Sequence, residues 1–128
     1  MGLSDVYRNY IRAILDHDVD SMDQYVSAHV VHNGTQLGLE GYKGLLRRNI
    51  IENDMHIEIR RSIADESHVA AVLIFTAGPS ARRLAGIDLD GQPFSYVENV
   101  IYDFKDGKFA EVHSLFDIDT VRSHACQL

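Results

Sequence analysis

The chain has 128 residues, a formal net charge of −7, and 45% hydrophobic and 24% charged residues. These values are typical of one globular domain, which we assign to residues 1–128, and a domain of this size folds without disulfides or metal. The single Cys126 excludes an internal disulfide, and the acidic balance argues against binding to nucleic acid.

The longest apolar run, residues 69–75, has the length of a strand rather than a membrane span. The first residues lead into a polar, periodic segment without a signal-peptide stretch, so we expect a cytoplasmic protein with no membrane role.

Two helices are predicted at the N-terminus. Apolar residues recur at three- and four-residue spacing over residues 3–15, and Ser4 or Asp5 can cap the helix that this stripe indicates. The polar stretch at residues 16–20 ends this helix, and a short second helix follows near Met22.

The pattern then changes from helix to sheet. Residues 30–32 give a short extended piece, and the glycines at positions 34, 38 and 41 mark a loop. A third amphipathic helix is predicted from Tyr42 to about Asn53. From residue 57 onward apolar and polar residues alternate, which is the period of a strand.

The first predicted hairpin joins residues 57–63 to residues 69–76 through a turn at residues 65–67. The second of these strands is apolar on both faces, as a central strand covered on each side would be. Residues 84–89 then resume extended structure up to a tight turn at Asp90-Gly91.

Two longer strands complete the predicted sheet. Residues 94–104 alternate clearly, Asp106-Gly107 gives a second hairpin signal, and residues 109–116 return antiparallel. Three helices followed by about four antiparallel strands define an α+β layer fold, in which the helices cover one concave face of a curved sheet. We expect this arrangement to enclose an apolar pocket.

The candidate catalytic residues follow from the two-residue period of strands. His113 and Asp117 share one face of the last strand, and Glu58 lies on the first. A neutral imidazole, or a carboxyl held away from water, exchanges protons near neutral pH, so these residues suit general acid-base catalysis. Structural roles stay open: a hydrogen-bonded core histidine for His113, a helix N-cap for Asp117, and an exposed strand position for Glu58.

A second group of residues is expected to line the pocket. One face of the strand at residues 94–104 carries Tyr96 and Glu98 and the other carries Asn99, and alternation alone leaves open which face points inward. The expected substrate-binding residues are His32, Asn33, Phe75, Tyr96, Glu98 and Asn99. His32 next to Asn33 can also simply begin a turn. No compact metal motif, nucleophile elbow or phosphate loop occurs, so we expect no metal and no other cofactor.

Several segments together carry a family resemblance. His32-Asn33-Gly34 precedes residues 37–42, which open a helix, and the hairpin at residues 104–109 leads to the closing segment at residues 113–117. In their order and spacing these segments resemble the SnoaL-like polyketide cyclases of the nuclear transport factor two-like superfamily, over nearly the whole chain. The resemblance implies a cone-shaped α+β barrel around a pocket that needs no cofactor.

The resemblance also implies a role for Asp117. In the family's cyclases an Asp at this place is the general acid/base of an intramolecular aldol closure. The sequence departs from the family pattern four residues earlier, where His113 replaces the usual Trp. This second titratable group favours isomerisation, ring opening or lactone rearrangement, in which His113 removes a proton and Glu58 or Asp117 delivers one.

Two classes of function therefore stand as hypotheses. The first is a cofactor-free isomerase or cyclase that acts on a polycyclic, largely apolar polyketide or meroterpenoid intermediate in secondary metabolism. The alternatives are a non-catalytic small-molecule-binding or dimerisation module of the same fold, or a hydrolase or dehydratase. For either class, Val97 and Ile101 on an outer sheet face predict a homodimer.

Overall fold

The helices pack on one face of a six-stranded sheet in the computed structural model, which describes residues 2–127. In chain order the elements are α1 (Leu3–Leu15), a 3₁₀-helix (Val19–Gln24), β1 (Val26–His32), β2 (Thr35–Gln36), α2 (Gly38–Leu46), a π-helix (Arg47–Ile51), β3 (His56–Ala64), β4 (His68–Thr76), β5 (Arg83–Leu84), β6 (Ile87–Asp88), β7 (Ser95–Lys105), β8 (Lys108–Phe116) and α3 (Ile118–Arg122). The predicted α+β class is confirmed. None of the described helices combines the length and apolar character that crossing a bilayer requires.

The sheet has the strand order β2-β1-β8-β7-β4-β3. The predicted antiparallel pairings of β3 with β4 and of β7 with β8 are confirmed, and β4 pairs antiparallel with β7. The barrel that the family resemblance implies is wrong in one respect, because the sheet is open. Its edge strands β2 and β3 are not hydrogen-bonded to each other.

Strand β1 is longer than the extended piece predicted at residues 30–32. It begins at Val26 and pairs parallel with β8, at the far end of the chain. The pairing that extends β1 involves residues about 80 positions away, such as His32 with Val112. Local alternation over a few residues carries no information about such a partner, which is why the sequence indicates only part of this strand.

The third predicted helix begins earlier than Tyr42 and changes type. It is α-helical from Gly38, and at Arg47 it becomes a π-helix. The Glu52 N–H donates to the Arg47 carbonyl at 2.9 Å, which is the i→i−5 bond of this form. The buried amide of Asn53 then donates to the Asn49 and Arg83 carbonyls, at 3.1 and 2.8 Å. These bonds attach the β5–β6 hairpin to the end of the helix.

The segment predicted as extended from 84 to 89 is instead this β5–β6 hairpin. Its turn residues, Ala85 and Gly86, have φ angles of +50° and +80°. Positive φ at both central positions matches the twist of a two-residue hairpin. Ala rarely adopts such a conformation, so its presence at the first position hides this turn from sequence patterns.

Alternation divides the sheet into two faces. The inner face packs against the helices and carries mostly buried side chains: Val69, Ala71, Leu73, Phe75, Tyr96, Glu98, Val100, Tyr102, Val112, Ser114 and Phe116. The outer face carries the alternate residues of the same strands: Glu58, Arg61, Ile63, Ala70, Val72, Ile74, Val97, Asn99, Ile101, Asp103, Glu111, His113 and Leu115. Apolar residues on both faces of β4 are therefore explained by a buried inner row and a half-buried outer row.

Candidate functional site

A cavity of about 140 Å³ lies between the inner face and helices α1 and α2. Most of its wall is apolar or aromatic, and its polar lining residues, tyrosines aside, are His32, Asn33, Asn49, Glu98 and Ser114. Among the lining residues, Asn33 and Ala85 are exposed, so the cavity meets solvent beside them. An apolar pocket with a few convergent polar groups is the usual form of a small-molecule site.

Glu98 is the carboxyl group of this cavity. Strand β7 holds it between Tyr96 and Val100 on the inner face, with Leu73 and Phe116 as its neighbours on the flanking strands. Within residues 2–127 no side chain forms an ion pair or hydrogen bond with it, and burial alone raises its pKa to about 7. Glu98 therefore populates both its protonated and its ionised form at neutral pH.

Four buried tyrosines near Glu98 keep its surroundings uncharged: Tyr7, Tyr10, Tyr42 and Tyr102. The hydroxyl oxygens of Tyr10 and Tyr42 are 2.5 Å apart, and the Tyr7 hydroxyl donates to that of Tyr102 at 3.4 Å. Burial raises the pKa of all four phenols, so they stay neutral in the physiological range. Because these neighbours are neutral, none of them lowers the Glu98 pKa that burial has raised.

Hydrogen bonds among a second set of polar residues in the cavity join the end of β1 to β8. The Ser114 hydroxyl and His32 Nε2 are 3.3 Å apart, and the Ser114 N–H donates to Asn33 Oδ1 at 2.8 Å. Asn33 returns a bond from its amide to the Ser114 carbonyl at 3.1 Å. Burial lowers the pKa of His32, so its imidazole is neutral at neutral pH and one ring nitrogen can accept a proton.

A flat aromatic surface adjoins the carboxyl. The rings of Phe75 and Tyr96 stack with their centroids 5.2 Å apart and an interplanar angle of 13°. Tyr96 lies two residues before Glu98 on the same face of β7, so the stacked rings and the carboxyl line one cavity. This arrangement suits a planar, conjugated ligand.

Three of the residues predicted from the sequence lie on the outer face of the sheet and point away from the cavity. Glu58 pairs with Ile74, Asn99 lies between Val72 and Leu115, and His113 pairs with Ile101. All three side chains are exposed on the outer face. The Nε2 atom of His113 is 2.6 Å from Glu111 Oε1, so its partner is an outer-face carboxylate and not a cavity group.

Asp117 is the N-cap of α3. It accepts hydrogen bonds from the Thr120 hydroxyl at 2.6 Å and from the Thr120 N–H at 3.2 Å, and these bonds lower its pKa. Its side chain is exposed. Neither His113 nor Asp117 lines the cavity. The structure therefore gives Asp117 the capping geometry that was the structural alternative for this residue.

Five sequence-predicted residues do come together around the cavity: His32, Asn33, Phe75, Tyr96 and Glu98. Sequence reasoning missed Ser114, although it alternates with His113 and so belongs to the face opposite the one chosen for catalysis. It also missed Asn49, because the amphipathic pattern gives no sign that the helix becomes π-helical there. Such π-helical turns occur frequently at functional sites.

The fold and the cavity together define a small-molecule-binding protein. The family model described as SnoaL-like polyketide cyclase matches residues 4–123, and the chain belongs to this family.

Solved structures agree with this membership. A SnoaL-like polyketide cyclase from Agrobacterium tumefaciens is 27% identical, with 96% of this chain and 97% of that chain covered at a TM-score of 0.87. TsrD from Streptomyces laurentii and IdmH from Streptomyces antibioticus are each 18% identical, with TM-scores of 0.82 and 0.78. The alignments cover 95% and 94% of this chain, and 92% and 95% of those chains. No curated protein matches the sequence.

Proposed function

We propose that the chain is an isomerase or cyclase that acts on a polyketide or meroterpenoid intermediate, without a cofactor, and uses Glu98 as its general acid/base. The observation that carries the proposal is the Glu98 carboxyl, which is partly buried in an apolar cavity, has no ionic or hydrogen-bonding partner among residues 2–127, and has its pKa raised to about 7. A general acid/base is most effective when its pKa lies near the working pH. Strongly shifted carboxyls of this kind concentrate at functional sites.

The proposed reaction is a proton transfer next to a carbonyl. Ionised Glu98 removes a proton from the carbon beside a substrate carbonyl, which gives an enolate and a protonated Glu98. In an aldol closure the enolate carbon forms a bond to a second carbonyl carbon of the same molecule, and the new alkoxide takes the proton from Glu98. In an isomerisation the proton returns to a different atom of the enolate. Both routes restore ionised Glu98 and leave the substrate mass unchanged.

The neutral donors of the cavity would stabilise the enolate oxygen. Burial raises the pKa of the Tyr96 phenol and keeps it protonated. His32 lies at the end of β1, where its Nε2 atom is close to the Ser114 hydroxyl of β8. A hydrogen bond from either group becomes stronger as negative charge develops on the substrate oxygen. In this proposal His113, Asp117 and Glu58 do not transfer the proton, because none of them lines the cavity.

The cavity volume bears on the substrate. A space of about 140 Å³ is close to the roughly 150 Å³ of an engineered cavity that holds one benzene molecule. We therefore propose that the reacting ring binds against Phe75 and Tyr96, while the rest of a polycyclic substrate extends past Asn33 and Ala85 to solvent.

We also propose a homodimer through the outer face. Four large apolar side chains are exposed there: Ile63 (68%), Val97 (36%), Ile101 (48%) and Leu115 (74%). Ile63, Ile101 and Leu115 line a shallow groove on this face. A second copy offers the same apolar surface, so the two copies can cover each other.

The experiment for the enzyme hypothesis uses the unidentified substrate in its natural mixture. The purified protein is incubated with an extract of a producing host that lacks it, and intermediates are followed by chromatography and mass spectrometry. We expect a new peak of unchanged mass that does not form with Glu98→Gln. A gain or loss of water would instead indicate a hydrolase or dehydratase. Retention of a compound without any product would indicate a binding module.

A further inference from the structure

Imidazole and carboxylate side chains gather at one end of the outer face, on the opposite side of the sheet from the cavity. The ladder register places His68 on β4 opposite Asp103 on β7, and Asp103 opposite Glu111 on β8. His113 follows Glu111 by two residues and so shares its face. The ligand atoms of Asp103, Glu111 and His113 all lie within 4.8 Å of one another. Nothing in the proposed reaction uses this group.

His68 offers a second imidazole beside Asp103, as a fourth side chain next to this group. Its Nε2 atom is 3.8 Å from Asp103 Oδ1, and its Nδ1 atom is 3.0 Å from Asp65 Oδ1 in the preceding turn. A carboxylate that holds one ring nitrogen and directs the other is the usual outer partner of a metal-binding histidine. Asp65 therefore orients the imidazole of His68 towards Asp103.

The two carboxylates at the centre of this group face each other across the ladder. Asp103 and Glu111 are direct cross-strand partners, and like charges in this position destabilise a sheet. Within residues 2–127, no Lys or Arg side chain forms an ion pair with either carboxylate, and their ionic partners are only His68 and His113. A divalent cation between the carboxylates would remove the repulsion.

We propose that this outer-face group binds one Zn²⁺ ion, with Asp103, Glu111 and His113 as ligands and His68 as the fourth. Zn²⁺ combines imidazole nitrogen with carboxylate oxygen in four-coordinate sites, whereas Mg²⁺ and Ca²⁺ prefer oxygen alone. All four side chains are 41–52% exposed, so rotation about their side-chain bonds can bring the ligand atoms onto the ion. The site is independent of Glu98 and does not rest on the proposed reaction.

The test is a calorimetric titration of the metal-stripped, full-length chain with Zn²⁺, with Mg²⁺ as the comparison ion. We expect one Zn²⁺ per chain, no comparable binding of Mg²⁺, and a rise in melting temperature on Zn²⁺ addition. His113→Ala is expected to abolish the saturable binding. Asp65→Asn keeps an oxygen acceptor for the turn but removes the charge behind His68, and it is expected to weaken Zn²⁺ affinity about 10- to 100-fold.

Two further variants serve as controls. His29→Ala removes an exposed histidine from β1, and Glu98→Gln alters only the cavity, so both are expected to bind Zn²⁺ like the unmodified chain. Circular dichroism of each variant checks that it is folded. Absence of saturable Zn²⁺ binding to the unmodified chain would overturn the inference. Unchanged affinity in folded His113→Ala would overturn it as well, because the ion would then lie elsewhere.

Discussion

The inner face of β7 and the junction between β8 and α3 each hold a carboxyl group, under opposite conditions. On the inner face, burial raises the pKa of Glu98 to about 7, and no side chain among the described residues offsets this shift. At the junction after β8, Asp117 is exposed, and hydrogen bonds from Thr120 lower its pKa. Burial and hydrogen bonding, rather than the presence of a carboxyl on a strand, therefore decide which group can exchange protons at neutral pH.

The largest expected difference between the inner and outer faces is in how substitutions there change the enzymatic activity. Glu98→Gln keeps the size of the side chain but cannot transfer a proton, so product formation should fall by about 10²- to 10⁴-fold. Glu58→Gln makes the same chemical change on the outer face and should leave the rate within about twofold, because ordinary surface substitutions have small effects. The rate is measured in the extract assay, and melting temperatures verify that both variants are folded. Equal losses in the two variants would remove the distinction between the faces.

The second effect concerns stability as a function of pH. The folded chain holds the Glu98 proton more tightly than the unfolded chain, since its pKa is about 7 instead of the ordinary 4.5. Its contribution to stability is therefore complete below pH 4.5 and is lost as pH rises through 7. Above pH 7 the loss amounts to about 3 kcal/mol.

Denaturant unfolding from pH 5 to pH 8 measures this effect, and Glu98→Gln isolates it. His32 acts in the opposite sense, because its lowered pKa makes the folded state favour the neutral imidazole and lose stability as pH falls. The difference between the unmodified chain and Glu98→Gln cancels the His32 contribution. We expect Glu98→Gln to lose less stability on going to pH 8 than the unmodified chain does. Identical pH profiles would mean that Glu98 is not held protonated by burial.

The third expected effect is on the oligomeric state, because a second copy of the chain is proposed to cover the outer face. Leu115→Asp places a charge on the most exposed of its apolar side chains and should shift the proposed dimer to monomer at equal concentration. Leu115→Met conserves size and apolar character and should leave the mass unchanged. Light scattering coupled to size exclusion gives the mass of both. An unmodified chain that is already monomeric at high concentration would contradict the dimer.

The smallest effect concerns the cap of α3. Asp117→Ala removes both bonds to Thr120 and should lower the melting temperature slightly, whereas Asp117→Asn keeps a good N-cap and should lower it less. Neither variant should slow product formation, because Asp117 does not line the cavity. A folded Asp117→Asn that has lost its activity would restore the role that the family resemblance implies for this residue.

Local patterns were sufficient to predict most of the sheet. The alternation in β3, β7 and β8 and the Asp106-Gly107 turn identify their strands, because each signal lies within a few residues. The same alternation has two solutions, however, and it puts either Glu98 or Asn99 inside the cavity. The choice depends on which face the helices cover, and this is a contact between distant parts of the chain.

The site was predictable only in part for the same reason. His32 and Asn33 stand out in the sequence, but their link to Ser114 depends on the parallel pairing of β1 with β8. Likewise the outer-face histidines and carboxylates have no motif spacing, and only the register of three strands brings them together. Patterns within one segment identify elements, while pairings between segments assemble sites.

The most direct test of the account is the ionisation of Glu98 itself, which needs no substrate. Carboxyl ¹³C NMR of the labelled protein follows each Glu side chain through pH, and the resonance missing from Glu98→Gln identifies the one in question. We expect a midpoint near pH 7. A midpoint near the ordinary value of 4.5 would contradict the assignment of Glu98 as the acid/base of the cavity.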